Sequence, residues 1–161
     1  MAPGLRCLVE IPMGSRNKYE WDDALQAIRL DRFLFASVVY PTDYGFIPET
    51  LAADGDPLDA MVCVTQPTFP GCVIPVKAVA LFRMSDDKGE DHKVVCVPEG
   101  DPSWNHMEQL EDLSEQLRSE ISHFFSIYKQ LENLDVQVDG WSSRDEALAV
   151  IDDGRKRFAG A

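Results

Sequence analysis

The segment Asp54–Val64 reads DGDPLDAMVCV and places three carboxylates in one short turn, directly before an apolar run. Gly55 and Pro57 predict the turn, and the run that begins at Ala60 has the length and composition of a buried strand. Three carboxylates this close repel one another, so the folded chain needs a bound cation or a raised carboxyl pKa. Because Mg²⁺, Mn²⁺ and Ca²⁺ prefer hard oxygen ligands, this turn is the first candidate metal site.

The acidic turn has two other interpretations besides a metal site. In a chain with 28 acidic residues among 161, a chance Asp-x-Asp-x-x-Asp pattern in a solvated turn is not rare. A calcium loop of the EF-hand type does not fit, because its fifth and twelfth positions would be Leu58 and Thr65, which carry no carboxylate. A solvated turn therefore remains the alternative to a metal site.

Outward from the turn, clusters of Gly, Pro and Asp divide the first hundred residues into short apolar runs. Strands are predicted at Cys7–Ile11, Lys18–Trp21, Ile28–Leu34, Asp59–Val64, Val73–Met84 and Lys93–Val97. The segment Tyr40–Gly45 is predicted as a loop, because Pro and Gly interrupt it. Short strands at this spacing favour a small closed β-barrel.

The last third of the chain changes to a helical period. Apolar residues recur at steps of three and four, at Leu110, Leu113, Leu117, Ile121, Phe124, Tyr128 and Leu131. This pattern predicts an amphipathic helix packed on the sheet, followed by a short strand at Val136–Val138. Ser143–Glu146 has the pattern of a capping box that begins a terminal helix ending near Phe158. With no repeat or linker, residues 1–161 are predicted to form a single domain.

Composition limits the classes of function. The formal charge of −13 disfavours binding to nucleic acid or to an anionic membrane surface. No apolar run approaches the roughly 20 residues needed to span a bilayer, and the N-terminal residues have no apolar signal core. The four cysteines form no C-x-x-C pair and lie in apolar runs, which is typical of buried thiols in a reducing compartment. We expect a cytoplasmic protein.

A second acidic segment, Asp86–Lys93, has the pattern of a hairpin turn between two strands. The hairpin would bring Asp86 close to Asp91, and Asp91 and Lys93 would share one strand face because they are two residues apart. An ordinary charged hairpin tip is the alternative. A packed or partly exposed His92 is favoured over a metal-binding one.

Charged side chains also interrupt the N-terminal strands. Glu10 lies in an apolar run, where a charge is costly unless it is paired or bound to metal. Lys18 and Glu20 are two residues apart and share a face, and Arg32 lies in an otherwise apolar strand. Each residue could form an ordinary salt bridge. Together they place acids and bases where a plain barrel would carry Val or Thr.

Tyrosines and lysines complete the inventory. Tyr40 and Tyr44 flank a Pro/Gly loop, and Tyr128 precedes Lys129 on the long helix, although Tyr128 also fits the apolar stripe. A phenol beside an ammonium group provides two donors for phosphate oxygens. The chain has no phosphate-binding P-loop, nucleophile elbow or H-E-x-x-H motif. Acids for divalent metals, with cations and phenols for a polyanion, indicate metal-assisted phosphoryl transfer to water.

At this point the sequence resembles the soluble family I inorganic pyrophosphatases. The segment Asp54–Ala60 matches their diagnostic motif without a gap, and the resemblance extends in register over residues 8–132. The other matching segments are Glu10–Pro12, Lys18–Glu20, Asp31–Phe33, Tyr40–Pro41, Tyr44–Phe46, Asp86–Lys93 and His123–Lys129.

The resemblance implies a role for each matching side chain. Asp56 is implied to be the catalytic base, which takes a proton from water held between two metal ions. The implied metal ligands are Asp54, Asp59, Asp86, Asp91, Glu20 and, in the surrounding shell, Glu10. The implied substrate-binding residues are Lys18, Arg32, Tyr44, Lys93, Tyr128 and Lys129, with Tyr40 supporting them.

The resemblance also implies a fold, a cofactor and an assembly. The implied fold is mainly β and is built on a five-stranded, closed OB-like barrel with about two flanking C-terminal helices. The implied cofactor is Mg²⁺, with several ions per site and with Mn²⁺ or Zn²⁺ as substitutes. The implied assembly is a homohexamer. The implied reaction is hydrolysis of pyrophosphate to two phosphates without a covalent enzyme intermediate. Asp43 stands where many relatives carry Asn, and His92 and His106 have no implied role.

Two rival classes remain at this stage. A non-catalytic OB-type barrel that binds nucleic acid or protein would need a basic, aromatic face, which the composition disfavours. An acidic calcium-binding module would bind metal without turnover. Release of phosphate from pyrophosphate in Mg²⁺, but not in EDTA, would separate the enzyme from both classes.

Overall fold

The computed structural model describes residues 4–161, which form nine strands and two α-helices. The elements are β1 (Arg6–Ile11), β2 (Asn17–Asp22), β3 (Ala27–Phe33), β4 (Asp43–Ile47), β5 (Leu58–Val62), β6 (Val73–Asp86), β7 (Gly89–Glu90), β8 (Lys93–Pro98), α1 (Glu115–Ile127), β9 (Val136–Ser142) and α2 (Arg144–Ala159). Short 3₁₀ turns at Leu110–Asp112 and Gln130–Glu132 flank α1.

Five strands pair in a ring. β1 pairs with β4 and β6, β4 pairs with β5, β5 pairs with β8, and β8 pairs with β6. Only the β5–β8 pairing within this ring is parallel. The 14-residue β6 also pairs with β7 and β9, and register shifts along its pairings with β8 and β9 let it bend between neighbours. The predicted mainly β fold with two C-terminal helices is confirmed, and the five-strand ring gives it a barrel-like form.

Two apolar cores lie on opposite faces of the ring. The inner core contains side chains from all five ring strands together with Ala147 and Ile151 of α2. The outer core lies between the ring and α1, whose Ile121, Phe124 and Phe125 are buried. Alternate residues of a strand therefore enter different cores, as the two-residue period of a strand requires. Neither helix of residues 4–161 is long and apolar enough to cross a membrane.

The β2–β3 hairpin lies outside this ring. Its two strands pair only with each other and form a separate two-stranded sheet within residues 4–161. The backbone N–H of Trp21 donates a 2.8 Å hydrogen bond to the carboxylate of Glu10 on β1. This bond joins the β2–β3 hairpin to the ring.

Three predicted segments differ from the structure, and one of them is the short strand predicted at Val136–Val138, which continues to Ser142 as β9. Tyr40–Gly45 was predicted as a loop but contains the start of β4. Gly45 serves the close approach of β1 and not a turn, because a Cβ at this position would lie 1.9 Å from the carbonyl oxygen of Leu8. The helix predicted over Leu110–Leu131 is divided, because Ser114 caps a new helix start through a 3.1 Å bond from Leu117 N–H. The predicted start of the terminal helix is confirmed, since Ser143 caps α2 by accepting from Glu146 N–H.

The close approach at Gly45 predicts a large effect of one methyl group. Gly45→Ala should lower the free energy of unfolding by about 3 kcal/mol or more, because backbone must move to admit the Cβ. Gly100→Ala is the matched control, since a Cβ there meets nothing within 4 Å. Urea unfolding of the two variants measures the difference, and equal stability would contradict the close approach of β1 and β4.

Candidate active site

All predicted site residues except Arg32 line one cleft of about 760 Å³. The cleft is bordered by outward-facing residues of the ring, the β2–β3 hairpin, the acidic turn at residues 54–59, and the end of α1. The predicted residues that line it are Glu10, Lys18, Glu20, Tyr40, Tyr44, Asp54, Asp56, Asp59, Asp86, Asp91, Lys93, Tyr128 and Lys129. Segments far apart in the sequence thus meet at one site.

Strand alternation places Asp59 and Lys93 side by side. Leu58 and Ala60 on β5 enter the inner core, so Asp59 points outward. Lys93 begins β8 and is the parallel-register partner of Asp59. The two side chains therefore lie on the same outer face.

Lys93 forms a bridge between two carboxylates on the cleft floor. Its Nζ lies 2.9 Å from Asp59 and 2.8 Å from Asp91, and its side chain is 2% exposed. The ammonium also lies 5.3 Å from the ring centre of Tyr44 and 5.6 Å from that of Phe125. The prediction that Asp91 and Lys93 share a face is confirmed by the ion pair.

The electrostatics of this trio follow from burial and charge. Burial, together with the neighbouring carboxylate of Asp91, raises the pKa of Asp59 to about 6 against the opposing effect of Lys93. Burial would raise the pKa of Asp91 too, but Lys93 and the hydrogen bond with Asp59 hold it below its ordinary value. For Lys93, the two carboxylates outweigh burial and raise the ammonium pKa. The site thus favours one positive charge between two acids.

The predicted hairpin at Asp86–Lys93 is present. Asp86 pairs with Gly89 across the turn, and the backbone N–H of Asp91 donates to the carbonyl of Met84 at 2.9 Å. Asp86 also receives the ammonium of Lys129 at 3.4 Å, from the segment that follows α1. The turn therefore brings Asp86 and Asp91 to the same wall of the cleft.

Glu10 lies on β1 and lines the cleft. Burial raises its pKa to about 7, although the hydrogen bond from Trp21 N–H opposes this shift. Among the neighbouring charged side chains, Lys18 lowers the pKa of Glu10. A bound cation would be expected to favour its ionised form.

The acidic turn is held by its own backbone and by α2. Asp54 and Asp56 are exposed, and the carboxylate of Asp54 accepts from Asp56 N–H at 3.0 Å. The backbone N–H of Leu51 donates to the carbonyl of Gly154 on α2 at 3.0 Å. A Cβ at Gly154 would lie 2.7 Å from the side chain of Leu58, so glycine allows α2 to pack here. The sequence analysis missed this support, and the unusual Gly within the terminal helix was the available signal.

The β2–β3 hairpin supplies Lys18 and Glu20. Lys18 Nζ lies 2.6 Å from Glu20 and 3.3 Å from Asp31, which confirms the shared face of Lys18 and Glu20. Arg32, by contrast, does not line the cleft. Its guanidinium forms ion pairs with Asp31 and Glu132. The phosphate-binding role of Arg32 thus stays a prediction.

Tyrosine side chains form an aromatic wall behind the charged groups. Tyr128 is 4% exposed and stacks on Phe124 with ring centres 5.3 Å apart, so its predicted place in the apolar stripe is confirmed. The ring centre of Tyr40 lies 4.7 Å from that of Phe124 and 5.5 Å from that of Tyr44. Burial raises the phenol pKa of Tyr40, Tyr44 and Tyr128, so these phenols stay neutral and can donate hydrogen bonds.

The cleft carries an excess of negative charge. Ten of its lining residues are acidic and four are lysines. Within residues 4–161, no group of three or more His, Cys, Asp or Glu side chains is close enough together to hold a metal ion as it stands, since Lys93 lies between Asp59 and Asp91. The donor set still fits divalent cations, because it is rich in carboxylate oxygens and short of compensating charge.

Asp43 and two histidines are not among the predicted site residues. The fully buried carboxylate of Asp43 accepts from Met13 N–H at 2.8 Å and from the hydroxyl of Thr68 at 2.6 Å, so it ties two loops to β4. Asp43, which stands where many relatives carry Asn, thus has a structural role that sequence patterns did not indicate. His92 lines the cleft and has Nε2 3.4 Å from Arg83, while His106 is exposed and outside the cleft.

Comparison with known proteins identifies close relatives. A family model described as inorganic pyrophosphatase matches residues 7–159. The chain is 56% identical to an inorganic pyrophosphatase of Methanosarcina mazei, over 94% of this chain and 89% of that protein. It is 52% identical to one of Streptomyces coelicolor, over 93% of each chain. A crystal structure of inorganic pyrophosphatase from Thermus thermophilus superposes with a TM-score of 0.95 and 45% identity, over 99% of this chain and 94% of that chain.

The Lys93 bridge predicts a change of stability that depends on metal. Lys93→Met should lower the free energy of unfolding by about 2–4 kcal/mol in EDTA, because two acids lose their shared cation. Adding Mg²⁺ should reduce this loss. Urea unfolding with and without Mg²⁺ measures it, with Lys156→Met, which removes an exposed ion pair to Asp152, as the control. A loss no larger than that of the control would contradict the bridge.

Proposed function

This chain belongs to the inorganic pyrophosphatase family, and from that premise we propose that the cleft is where it hydrolyses pyrophosphate to two orthophosphates by direct attack of water. The observation that carries the proposal is the charge of the cleft: ten acids and four lysines surround the space a polyanion would enter. Such a cleft repels pyrophosphate unless cations bind with it. Metal dependence, which is general in this family, meets that requirement.

Mg²⁺ is the metal we propose, with Mn²⁺ or Zn²⁺ as possible substitutes, because carboxylates dominate the donor set. The residues that would hold several ions are Asp54, Asp59, Asp86, Asp91 and Glu20, with Glu10 alongside. When bound, these ions lower the pKa of water and offset the charge that develops on the phosphoryl oxygens. The raised pKa of Asp59 and of Glu10 supports the proposal, since burial disfavours both ionised carboxylates and the neighbouring lysines offset this effect only in part.

Asp56 is the proposed general base. It lies on the exposed acidic turn, three residues before Asp59, and lines the same cleft. Its backbone is held by the 3.0 Å bond to Asp54 and by a 2.7 Å bond from Ala52 N–H to its carbonyl. A water molecule between this carboxylate and one phosphorus of the substrate would transfer a proton to Asp56 as its oxygen attacks that phosphorus. The bond from the same phosphorus to the bridging oxygen would then break, and the other phosphate would leave.

The phosphate oxygens are assigned to cations and neutral phenols. Lys18 on the β2–β3 hairpin and Lys129 beside Tyr128 approach the cleft from two sides. Tyr44 borders its floor, while Lys93 supports the carboxylates and Tyr40 supports the phenols from behind. Arg32 stays a predicted phosphate ligand, although it does not line the cleft. Fixed donors of this kind stabilise the charge of the transition state without having to reorient.

Attack by water needs no enzyme nucleophile. None of the described cleft residues is serine or cysteine, and the hydroxyl of Thr50 donates to the carbonyl of Ile47. Burial raises the pKa of the Cys63 thiol to about 12, and Cys7 and Cys96 are buried as well. A thiolate or activated hydroxyl is therefore not placed to form a covalent intermediate.

The remaining proposals concern the assembly and its setting. We propose that residues 1–161 act as one domain in a cytoplasmic homohexamer that binds neither nucleic acid nor membranes. Exposed apolar side chains at Leu30, Phe33, Phe35 and Val39 support self-association. The formal charge of −13 supports the absence of polyanionic macromolecular partners.

The role of Asp56 predicts a specific loss of turnover. Asp56→Asn should lower kcat by about 10²–10⁴, because an amide cannot accept the proton of water. The free energy of unfolding should change by less than about 0.5 kcal/mol, since the side chain is exposed. Steady-state phosphate release measures the effect, with Asp152→Asn on the exposed face of α2 as the control. Near-normal kcat in Asp56→Asn would reject the assignment.

The metal requirement predicts different results for different ions. EDTA should abolish phosphate release and excess Mg²⁺ should restore it. Ca²⁺ should bind yet inhibit, because its larger and looser coordination shell positions water poorly. A phosphate-release assay with each ion measures this, and rapid turnover with Ca²⁺ alone would contradict the proposed role of the metal.

A further inference from the structure

We propose that Glu132 is a positioning residue that acts through Arg32 and holds the β2–β3 hairpin at a fixed distance from the end of α1. The inference deepens the proposed function and rests on it, because it assumes that one pyrophosphate contacts groups on both sides. Glu132 itself does not line the cleft. Its effect on the substrate would therefore be indirect.

The ion pair of Glu132 with Arg32 contains one hydrogen bond, which Nη2 of Arg32 donates to a carboxylate oxygen at 3.3 Å. Nε of Arg32 lies 2.7 Å from the other carboxylate oxygen, within ion-pair distance but without a hydrogen bond. The Glu132 side chain is 9% exposed and that of Arg32 is 24% exposed, so water competes weakly for the carboxylate. The charge pair with Glu132 fixes the position of the guanidinium, and its hydrogen bonds to Glu132 and to Asp31 restrict its orientation.

On the hairpin side, the ion pair continues to a lysine of the cleft. Nη1 of Arg32 lies 2.5 Å from Asp31, and the same carboxylate oxygen of Asp31 lies 3.3 Å from Nζ of Lys18. Lys18 lines the cleft. The orientation that Glu132 imposes on Arg32 is thus passed to Lys18 through one shared carboxylate.

On the helix side, Glu132 is close in sequence to two other cleft residues. It ends the 3₁₀ turn Gln130–Glu132, and its backbone N–H donates to the carbonyl of Lys129 at 3.0 Å. Lys129 and Tyr128 both line the cleft. This turn therefore fixes the backbone of Glu132 relative to that of Lys129, which carries the ammonium on that side.

The β2–β3 hairpin has few other connections to the rest of the fold. It forms its own two-stranded sheet, and its other ion pairs among the described residues, such as Lys18–Glu20 and Arg29–Asp22, stay within it. The Arg32–Glu132 pair crosses from the hairpin to the end of α1. Because a displacement of about 1 Å can cost a large part of a binding interaction, this pair should govern how well both sides contact one pyrophosphate.

Glu132→Gln tests the inference with little change of shape. Glutamine keeps the length of the side chain, but its amide NH₂ group would face a guanidinium donor and break one of the two contacts. We expect KM for pyrophosphate in Mg²⁺ to rise about tenfold, with kcat changed by less than about threefold. The affinity for imidodiphosphate, a slowly hydrolysed analogue, should fall by the same factor in calorimetry.

Two further variants make the comparison specific. Asp152→Asn also removes one negative charge, but from an exposed pair with Lys156 on α2, and should leave KM unchanged. Glu132→Asp keeps the charge but is too short for both contacts, so its KM should lie between those of wild type and Glu132→Gln. It also provides the same test should Glu132→Gln fail to fold.

A double-mutant cycle separates positioning through Arg32 from a general structural role. In an Arg32→Met background, Glu132→Gln should change KM by less than about twofold, because the residue through which it acts is absent. Multiplicative effects of the two substitutions, or an unchanged KM in both Glu132 variants, would overturn the inference. Wild-type protein that releases no phosphate would instead overturn the proposed function.

Discussion

The ammonium of Lys93 between Asp59 and Asp91 is the interaction on which the cleft depends. An almost fully buried lysine is tolerated because both carboxylates lie within 3 Å of it. In return, the two acids can approach each other on the cleft floor despite their mutual repulsion. The parallel pairing of β5 and β8 makes this possible, since it places Asp59 directly beside Lys93 on the outer face. The ring thus supplies a rigid base for the most strongly charged part of the molecule.

The other walls of the cleft depend on elements outside the ring. The β2–β3 hairpin is joined to β1 through Glu10 and to the end of α1 through Glu132. The acidic turn rests on α2, which approaches it closely at Gly154. A functional site of this kind combines a rigid floor with walls that are held by a few specific contacts. We therefore expect the positions of the β2–β3 hairpin and the acidic turn to have a larger effect on substrate affinity than the identity of the floor residues.

Much of the fold could be predicted because local rules and tertiary packing agreed. The six predicted strands and the helix start at Ser143 follow from alternation and capping, which act within a few residues. β4 was missed because Gly45 has two explanations, a turn or a close approach, and only the position of β1 distinguishes them. The helix around Leu113 was too long in the prediction, since periodicity alone does not reveal the break at Ser114.

By itself, the sequence determined which chemical groups are available: the carboxylates of the acidic turn, and the pairs spaced by two residues that share a strand face, such as Lys18 with Glu20 and Asp91 with Lys93. Spacing along one strand is a local property, so it survives in the fold. Only the tertiary structure decided that Lys93 bridges two aspartates, and that Arg32 is held by Glu132 outside the cleft. These contacts join residues 34 and 100 positions apart, and their geometry is set by how the strands and helices pack.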